Sequence, residues 1–331
     1  LGGCNRQDSP AELVKEYVPS ERLSDFKEII KQPIVEQQYL PDPVMIEHVG
    51  LYRSGDHQFI RVTSSDGAVG IATAQRGRLE NIQAIMLNRV IPPLIGEDAR
   101  DIENLVGKVY LARSNYKWQG LPFWVAMASV EIAILDMLGR VAGKSMGDLL
   151  GGRVRDQVAI YYASSNRGNA PEDEVDYLQS LIERSGAKAV KYRLGARMHY
   201  TDESTARDLA LIPLVRRELG DDVTIYADAN GSYDVEMGIR IGRVLEDHGT
   251  AFFEEPCPFD YYEETRAVAD ALDIPIAGGE EESSMRGMMW LLGHDVHQVI
   301  QPDLLYFGGL TRSIKVARMA ASIGVDCTAH I

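Results

Sequence analysis

The chain has 331 residues, 45% of them apolar and 25% charged, which is the make-up of a globular core with a charged surface and not of a disordered or fibrous chain. With 34 basic and 49 acidic residues the net charge is −15, a balance that repels phosphate backbones and excludes nucleic acid as an expected partner. Three scattered cysteines, Cys4, Cys257 and Cys327, make neither a disulfide framework nor a zinc cluster, and no run approaches the roughly 18 apolar residues of a membrane span.

Residues 1–40 are polar and proline-punctuated and read as an N-terminal extension with one or two short helices. The opening Leu1-Gly2-Gly3-Cys4 resembles the site at which bacterial lipoproteins are processed and lipidated on cysteine, which implies export and a lipid anchor at Cys4; the alternative is an arbitrary start and a cytoplasmic protein. Residues 41–150 form the next unit, of α+β type. Within it Phe59–Thr63 and Val69–Ala72 read as strands around a Ser65-Asp66-Gly67 turn, and helices follow over 78–150, including the apolar run Ala126–Val141.

From about residue 155 short apolar runs alternate with amphipathic helical stretches. The expected strands are Val158–Ala163, Ala187–Tyr192, Val223–Ala227, Ala251–Phe253, Ile274–Ala277, Gln298–Gln301 and Val325–Thr328. Helices are expected over Glu172–Ser185, Thr201–Leu219, Val235–Asp247 and Tyr262–Leu272. Unbroken βα alternation predicts an α/β fold, a parallel TIM-type barrel over residues 151–331. An open doubly wound sheet would carry a Gly-rich phosphate turn after its first strand, and Ser164-Ser165-Asn166-Arg167-Gly168 is not one.

Barrel enzymes build their sites at the C-terminal strand ends. Those ends carry Lys191-Tyr192-Arg193, Asp228-Ala229-Asn230, Glu254-Glu255-Pro256, Gly279-Glu280, Gln301-Pro302-Asp303 and Ala329-His330. Alternation along a strand puts Lys191 and Arg193 on one face. Asp228, Glu254 and Glu280 recur at intervals of 26 residues, the length of one βα unit, so three carboxylates stand at one level of adjacent strands. Such a set repels itself unless a cation lies among its members, and hard oxygen donors suit a single Mg²⁺.

These motifs, in this order, resemble the mandelate racemase and muconate lactonizing enzyme branch of the enolase superfamily. Ala128-Ser129-Val130-Glu131-Ile132-Ala133-Ile134-Leu135-Asp136, followed by Leu149-Leu150-Gly151-Gly152, adds the signature that precedes the barrel. The resemblance implies a (β/α)7β barrel, with an eighth strand and a C-terminal segment expected beyond Ile331. It implies a capping domain whose lid lies within residues 44–58 (Glu47, His48, Tyr52 and Arg53 among them), and a homo-oligomer, dimer or octamer. It also implies a small-molecule carboxylate substrate bound to the metal and to Lys191, Arg193 and Asn230. A base removes the proton beside that carboxylate, and the metal and cations stabilise the enediolate.

Arg193 stands where the family carries the second lysine of a Lys-x-Lys pair. A guanidinium does not lose its proton, so Arg193 suits the binding of a carboxylate, an enediolate oxygen or a second acid group of the substrate. His330, oriented by Asp303, is left as the acid–base group. One competent base favours dehydration of an acid sugar to a 2-keto-3-deoxy acid over racemisation. A racemase, epimerase or cycloisomerase is the enzymatic alternative, and a non-catalytic acid-sugar binding protein the alternative outside catalysis. Glu255 should point away from Glu254 across the strand, Glu281 and Glu282 read as a solvated helix start, Cys257 as no nucleophile, and Phe307-Gly308-Gly309-Leu310 as a tight turn.

Overall fold

The computed structural model describes residues 20–73 and 79–330, so Cys4 and its motif lie outside the described residues. Helix α1 (Ser20–Ile29) leads into an antiparallel meander of β1 (Ile46–Ser54), β2 (His57–Ser64) and β3 (Val69–Thr73). Helices α2 (Leu79–Ile85), α3 (Ile102–Leu111) and the 22-residue α4 (Leu121–Ala142) follow, then the single turn α5 (Met146–Leu149). Helix α4 is apolar on nearly every side because it is enclosed by the cap core, where Ala126, Val130, Ile134 and Met137 are all buried. Strand β3 lies directly on it. A Cβ at Gly70 would come within 2.1 Å of the Ala133 carbonyl oxygen, so only glycine permits that approach.

The second unit alternates β4 (Tyr162–Ala163), α6 (Pro171–Ser185), β5 (Ala189–Arg193), α7 (Asp202–Leu219), β6 (Thr224–Asp228), α8 (Val235–Asp247) and β7 (Phe253–Glu254). It continues through α9 (Tyr262–Ala271), β8 (Ile276–Gly278), α10 (Met285–Gly293), β9 (Val299–Ile300), α11 (Leu310–Ser322) and β10 (Asp326–Cys327). All seven strands pair in parallel and in chain order, from β4 at one edge to β10 at the other. The alternation expected from sequence sorts their side chains into two sets. Val190, Tyr192, Ile225, Ala227, Phe253 and Ile276 pack outward in one core with the helices. Lys191, Arg193, Tyr226, Asp228, Phe252 and Glu254 occupy the other face, where Tyr226 and Phe252 stack at 4.1 Å beneath the charged layer. The sheet curls around this inner face: Lys191 on β5 reaches Glu254 on β7, and Gln301 at the end of β9 reaches the same carboxylate.

One segment departs from expectation. Only Tyr162–Ala163 of the run beginning at Val158 pairs as a strand, on the edge strand β4, and Val158 and Ile160 are 70% and 66% exposed. Helix α1, in the N-terminal extension, is no loose appendage. Its Phe26 is fully buried among Met288, Met289, Leu292 and Val316 of α10 and α11.

Cap and barrel are joined at the Gly-Gly turn before α11. Glu131, fully buried on α4, accepts hydrogen bonds from the backbone N–H of Leu310 (2.7 Å) and of Thr311 (3.0 Å) and from the Thr311 hydroxyl. A carboxylate from one domain therefore caps a helix of the other. Gly309, at φ 116°, lies so close that a Cβ would sit 2.1 Å from Glu131 Oε2. The tight turn expected at Phe307–Leu310 is present, and its exposed amides are spent on this internal anion.

Candidate active site

The inner-face residues of β5 to β8 meet at the C-terminal end of the sheet. Lys191 Nζ, 2% exposed, donates to both oxygens of Glu254 at 2.6 Å, lies 3.5 Å from Asp228 and sits over the Tyr161 ring at 5.3 Å. Glu254 also accepts from Gln301 Nε2 at 3.2 Å. Arg193 pairs with Asp228 and donates to the Ser164 carbonyl at 3.0 Å. Each of the two cations predicted from sequence thus holds one of the three predicted metal carboxylates.

Asn230 joins two groups of opposite sign. Its Oδ1 accepts from Arg193 (3.2 Å) and from Arg167, while its Nδ2 donates to Asp228 (3.3 Å) and Glu255 (3.2 Å). Its backbone lies in the left-handed region at φ 42°, held there by its own N–H donating to Asp228 Oδ1 at 2.8 Å.

On the acidic side the expectation for Glu255 is corrected. Regular alternation would turn it outward, but at φ 46° the strand has ended and the side chain swings into the mouth. Glu281 is corrected too. It is no solvated helix start, since it stands partly buried beside Glu255 and Glu280 with one oxygen from each of the three within 4.8 Å of the others. Glu282 accepts from the Tyr262 hydroxyl and caps the following turn at Ser284. Among the described residues this carboxylate cluster shares only Glu280 with the register set Asp228, Glu254 and Glu280. Burial and the neighbouring charges of Glu255 and Glu254 push Glu280 up to about 7, against the pull of His330 and Lys191. Burial likewise raises Glu281 to about 7 and, with Glu281 adjacent, lifts Glu255 well above the usual carboxylate range. No donor among the described residues reaches Glu255 Oε1 or Glu281 Oε2. Buried, crowded and undonated carboxylate oxygens of this kind fit a divalent cation.

Across the mouth, Asp303 and His330 form the expected pair. His330 Nδ1 lies 2.7 Å from Asp303 Oδ2, and its Nε2 lies 3.1 Å from Glu280. Asp303 is fixed by the backbone N–H groups of Leu305 and Tyr306, each at 2.7 Å from Oδ1. Burial alone would lower the His330 pKa, but the Asp303 bond and the charges of Glu280 and Asp303 outweigh it and raise the imidazole above its ordinary value.

These groups open on a cavity of about 360 Å³ lined by Arg193, Arg197, Asn230, Glu255, Glu280 and His330, with Met198, Phe259 and Tyr306 on its walls. Arg167, Arg197 and Tyr306 were not singled out as site residues from sequence. Of the expected lid residues, Tyr52 and Arg53 border a different recess with Glu80, and Glu47 and His48 are exposed elsewhere on the cap. Cys257 is buried, and that burial pushes its thiol up to about 12, consistent with its reading as no nucleophile.

Residues 34–151 match the mandelate racemase / muconate lactonizing enzyme N-terminal domain, and residues 173–331 match the family described as enolase C-terminal domain-like. The chain is 28% identical to the arabinonate dehydratase of Saccharolobus solfataricus over 274 residues, 81% of this chain and 70% of that one. It is 30% identical to the D-galactonate dehydratase of Variovorax paradoxus over 275 residues, 82% of this chain and 70% of that one. A solved mandelate racemase/muconate lactonizing protein from Paracoccus denitrificans, complexed with magnesium, superposes with a TM-score of 0.79 at 28% identity, over 87% of this chain and 79% of its own.

Proposed function

The chain belongs to the mandelate racemase / muconate lactonizing enzyme branch of the enolase superfamily, and from this we propose that it dehydrates an acid sugar to a 2-keto-3-deoxy acid. The observation that carries the reading is the asymmetry of the mouth. His330, held by Asp303 at 2.7 Å, comes from the end of β10, and Arg193 comes from β5, with the carboxylates of β6 to β8 between them.

His330 takes the proton on the carbon beside the substrate carboxylate. The same imidazolium then protonates the departing β-hydroxyl, so one group serves both steps. Arg193 keeps its proton throughout and receives negative oxygen, and Lys191 stabilises the charge that develops on the carboxylate. A bound Mg²⁺ would supply Lewis-acid stabilisation of that charge. Glu280 would hold it with Asp228 and Glu254. An incoming carboxylate competes with Asp228 and Glu254 for Lys191 and Arg193, and so frees their oxygens for the cation. Glu255 and Glu281 complete the negative surround.

The test is incubation of the purified protein with Mg²⁺ and a panel of aldonates and aldarates, followed by detection of 2-keto acid. Product from at least one sugar acid, lost in His330→Asn, is expected. Deuterium entering recovered substrate from D₂O with no loss of hydroxyl would replace dehydration by racemisation or epimerisation.

A further inference from the structure

We infer that the substrate is a sugar diacid, whose second carboxylate is received at the arginine side of the mouth by Arg197, with the half-buried Arg167 behind it adding positive charge. This deepens the acid-sugar reading and rests on it for the identity of the first carboxylate.

Three arginines gather where the loop after β4, the end of β5 and the loop after β5 converge. Arg167 donates to the Leu194 carbonyl and, together with Arg193, to Asn230 Oδ1, while its buried Nε has no acceptor. Burial first, then the positive charges of Arg193 and Arg197, lower its pKa to about 10. Arg197 lines the cavity from an exposed, left-handed turn at φ 60°, fixed by its N–H donating to Ser232 Oγ at 3.1 Å. Of the three, only Arg193 forms an ion pair with a carboxylate among the described residues. Arg197 on the cavity wall and the half-buried Arg167 behind it thus add positive charge beside Arg193, in a chain whose net charge is −15.

Like charges are held together only where something compensates them. The Asn230 amide offers only a partial negative charge, and the Asp208 carboxylate, which also acts on Arg167, is already engaged by Arg207, the Tyr233 hydroxyl and the Gly195 N–H. The Asn230 orientation, oxygen toward the arginines and nitrogen toward the carboxylates, marks the border between a basic and an acidic half of one cavity. An aldonate would present a hydroxymethyl group to the basic half. An aldarate presents a planar carboxylate, which the guanidinium fork matches.

The test pairs sugar acids that differ only at C6, galactarate with galactonate and glucarate with gluconate, on the Mg²⁺-loaded full chain, by titration calorimetry and by initial rates. In at least one pair the diacid is expected to bind about tenfold more tightly or more, and Arg197→Gln and Arg167→Gln each to reduce that preference by about tenfold. Equal binding of the members of both pairs, a preference that survives both substitutions, or tighter binding of 6-phosphogluconate than of either diacid would overturn the inference. If the diacid preference and its dependence on Arg197 hold in calorimetry while no sugar acid yields a 2-keto acid, the inference stands and the dehydration reading falls.

Discussion

His330 and Glu280 touch at 3.1 Å, so the proposed base and the proposed metal ligand can be separated only by substitution. His330→Asn is expected to lower kcat for dehydration by about 10²–10⁴-fold with a smaller change in KM, the usual weight of a positioned acid–base group; steady-state rates on whichever sugar acid reacts decide it. Glu254→Gln is expected to abolish Mg²⁺ binding in calorimetry, whereas Glu281→Gln only weakens it. The reverse order would move the metal to the Glu255, Glu280 and Glu281 cluster. At this scale the sequence was readable wherever a strand imposes period two. Lys191, Arg193, Asp228 and Glu254 lie on the inner face because they are still within strands, and Asp228 pairs directly with Glu254; Glu254 in turn pairs with Ala277, so Glu280 stands three residues past that register, after the left-handed Gly279. It was not readable one residue later. Glu255 and Asn230 adopt left-handed backbone, at φ 46° and 42°, and no alternation rule says where a side chain points after such a turn. Arg167 was hidden for a related reason: its loop was judged only for what it lacks, a phosphate-binding glycine pattern.

At the level of elements the joint between α4 and α11 invites a direct test. Gly309→Ala would place a methyl group 2.1 Å from Glu131 Oε2 at φ 116°, and a loss of roughly 2 kcal/mol or more in chemical denaturation is expected. Burial pushes Glu131 up to about 6, from an ordinary 4.5, although the Thr311 hydroxyl, two backbone N–H groups and Arg312 pull the other way. A carboxyl whose folded pKa is raised contributes stability that is complete below about pH 4.5 and lost as pH rises through about 6. The stability of the native chain relative to Glu131→Gln should therefore fall by on the order of 2 kcal/mol across that window, measured as paired urea midpoints at each pH. Most elements were legible from periodicity. The helices from α6 to α9 fall where the amphipathic pattern places them, and all seven strands exist. Strand length was less legible, because pairing and not hydropathy ends a strand. The apolar run from Val158 looks like a full strand, yet only Tyr162–Ala163 of it pairs, and β7 and β9, with a neighbour on each side, are also two residues long.

The whole molecule reads as two units in sequence, a cap and a barrel, but the packing ties them together. Tyr306, which follows Asp303 at the barrel mouth, belongs to the cap's hydrophobic core, and Phe26, from the stretch ahead of the cap, belongs to a core of the barrel. A single calorimetric unfolding transition is expected, and two resolved transitions in the native chain would show that the units fold independently. The Glu131 joint and the proposed base share one short stretch of chain. Asp303, which orients His330, and Gly309, which admits Glu131, are separated by a single turn whose amides go to the Asp303 carboxylate (Leu305 and Tyr306), to the His330 carbonyl (Leu304) or to the turn itself, and the next amide, of Leu310, goes to Glu131. The seat of the cap helix α4 and the support of the dyad are therefore one continuous stretch of chain. On the proposed function, unseating α4 would cost the stretch that carries Asp303 its anchor on Glu131, so a change at the cap interface is expected to reach the base as well as the stability of the chain.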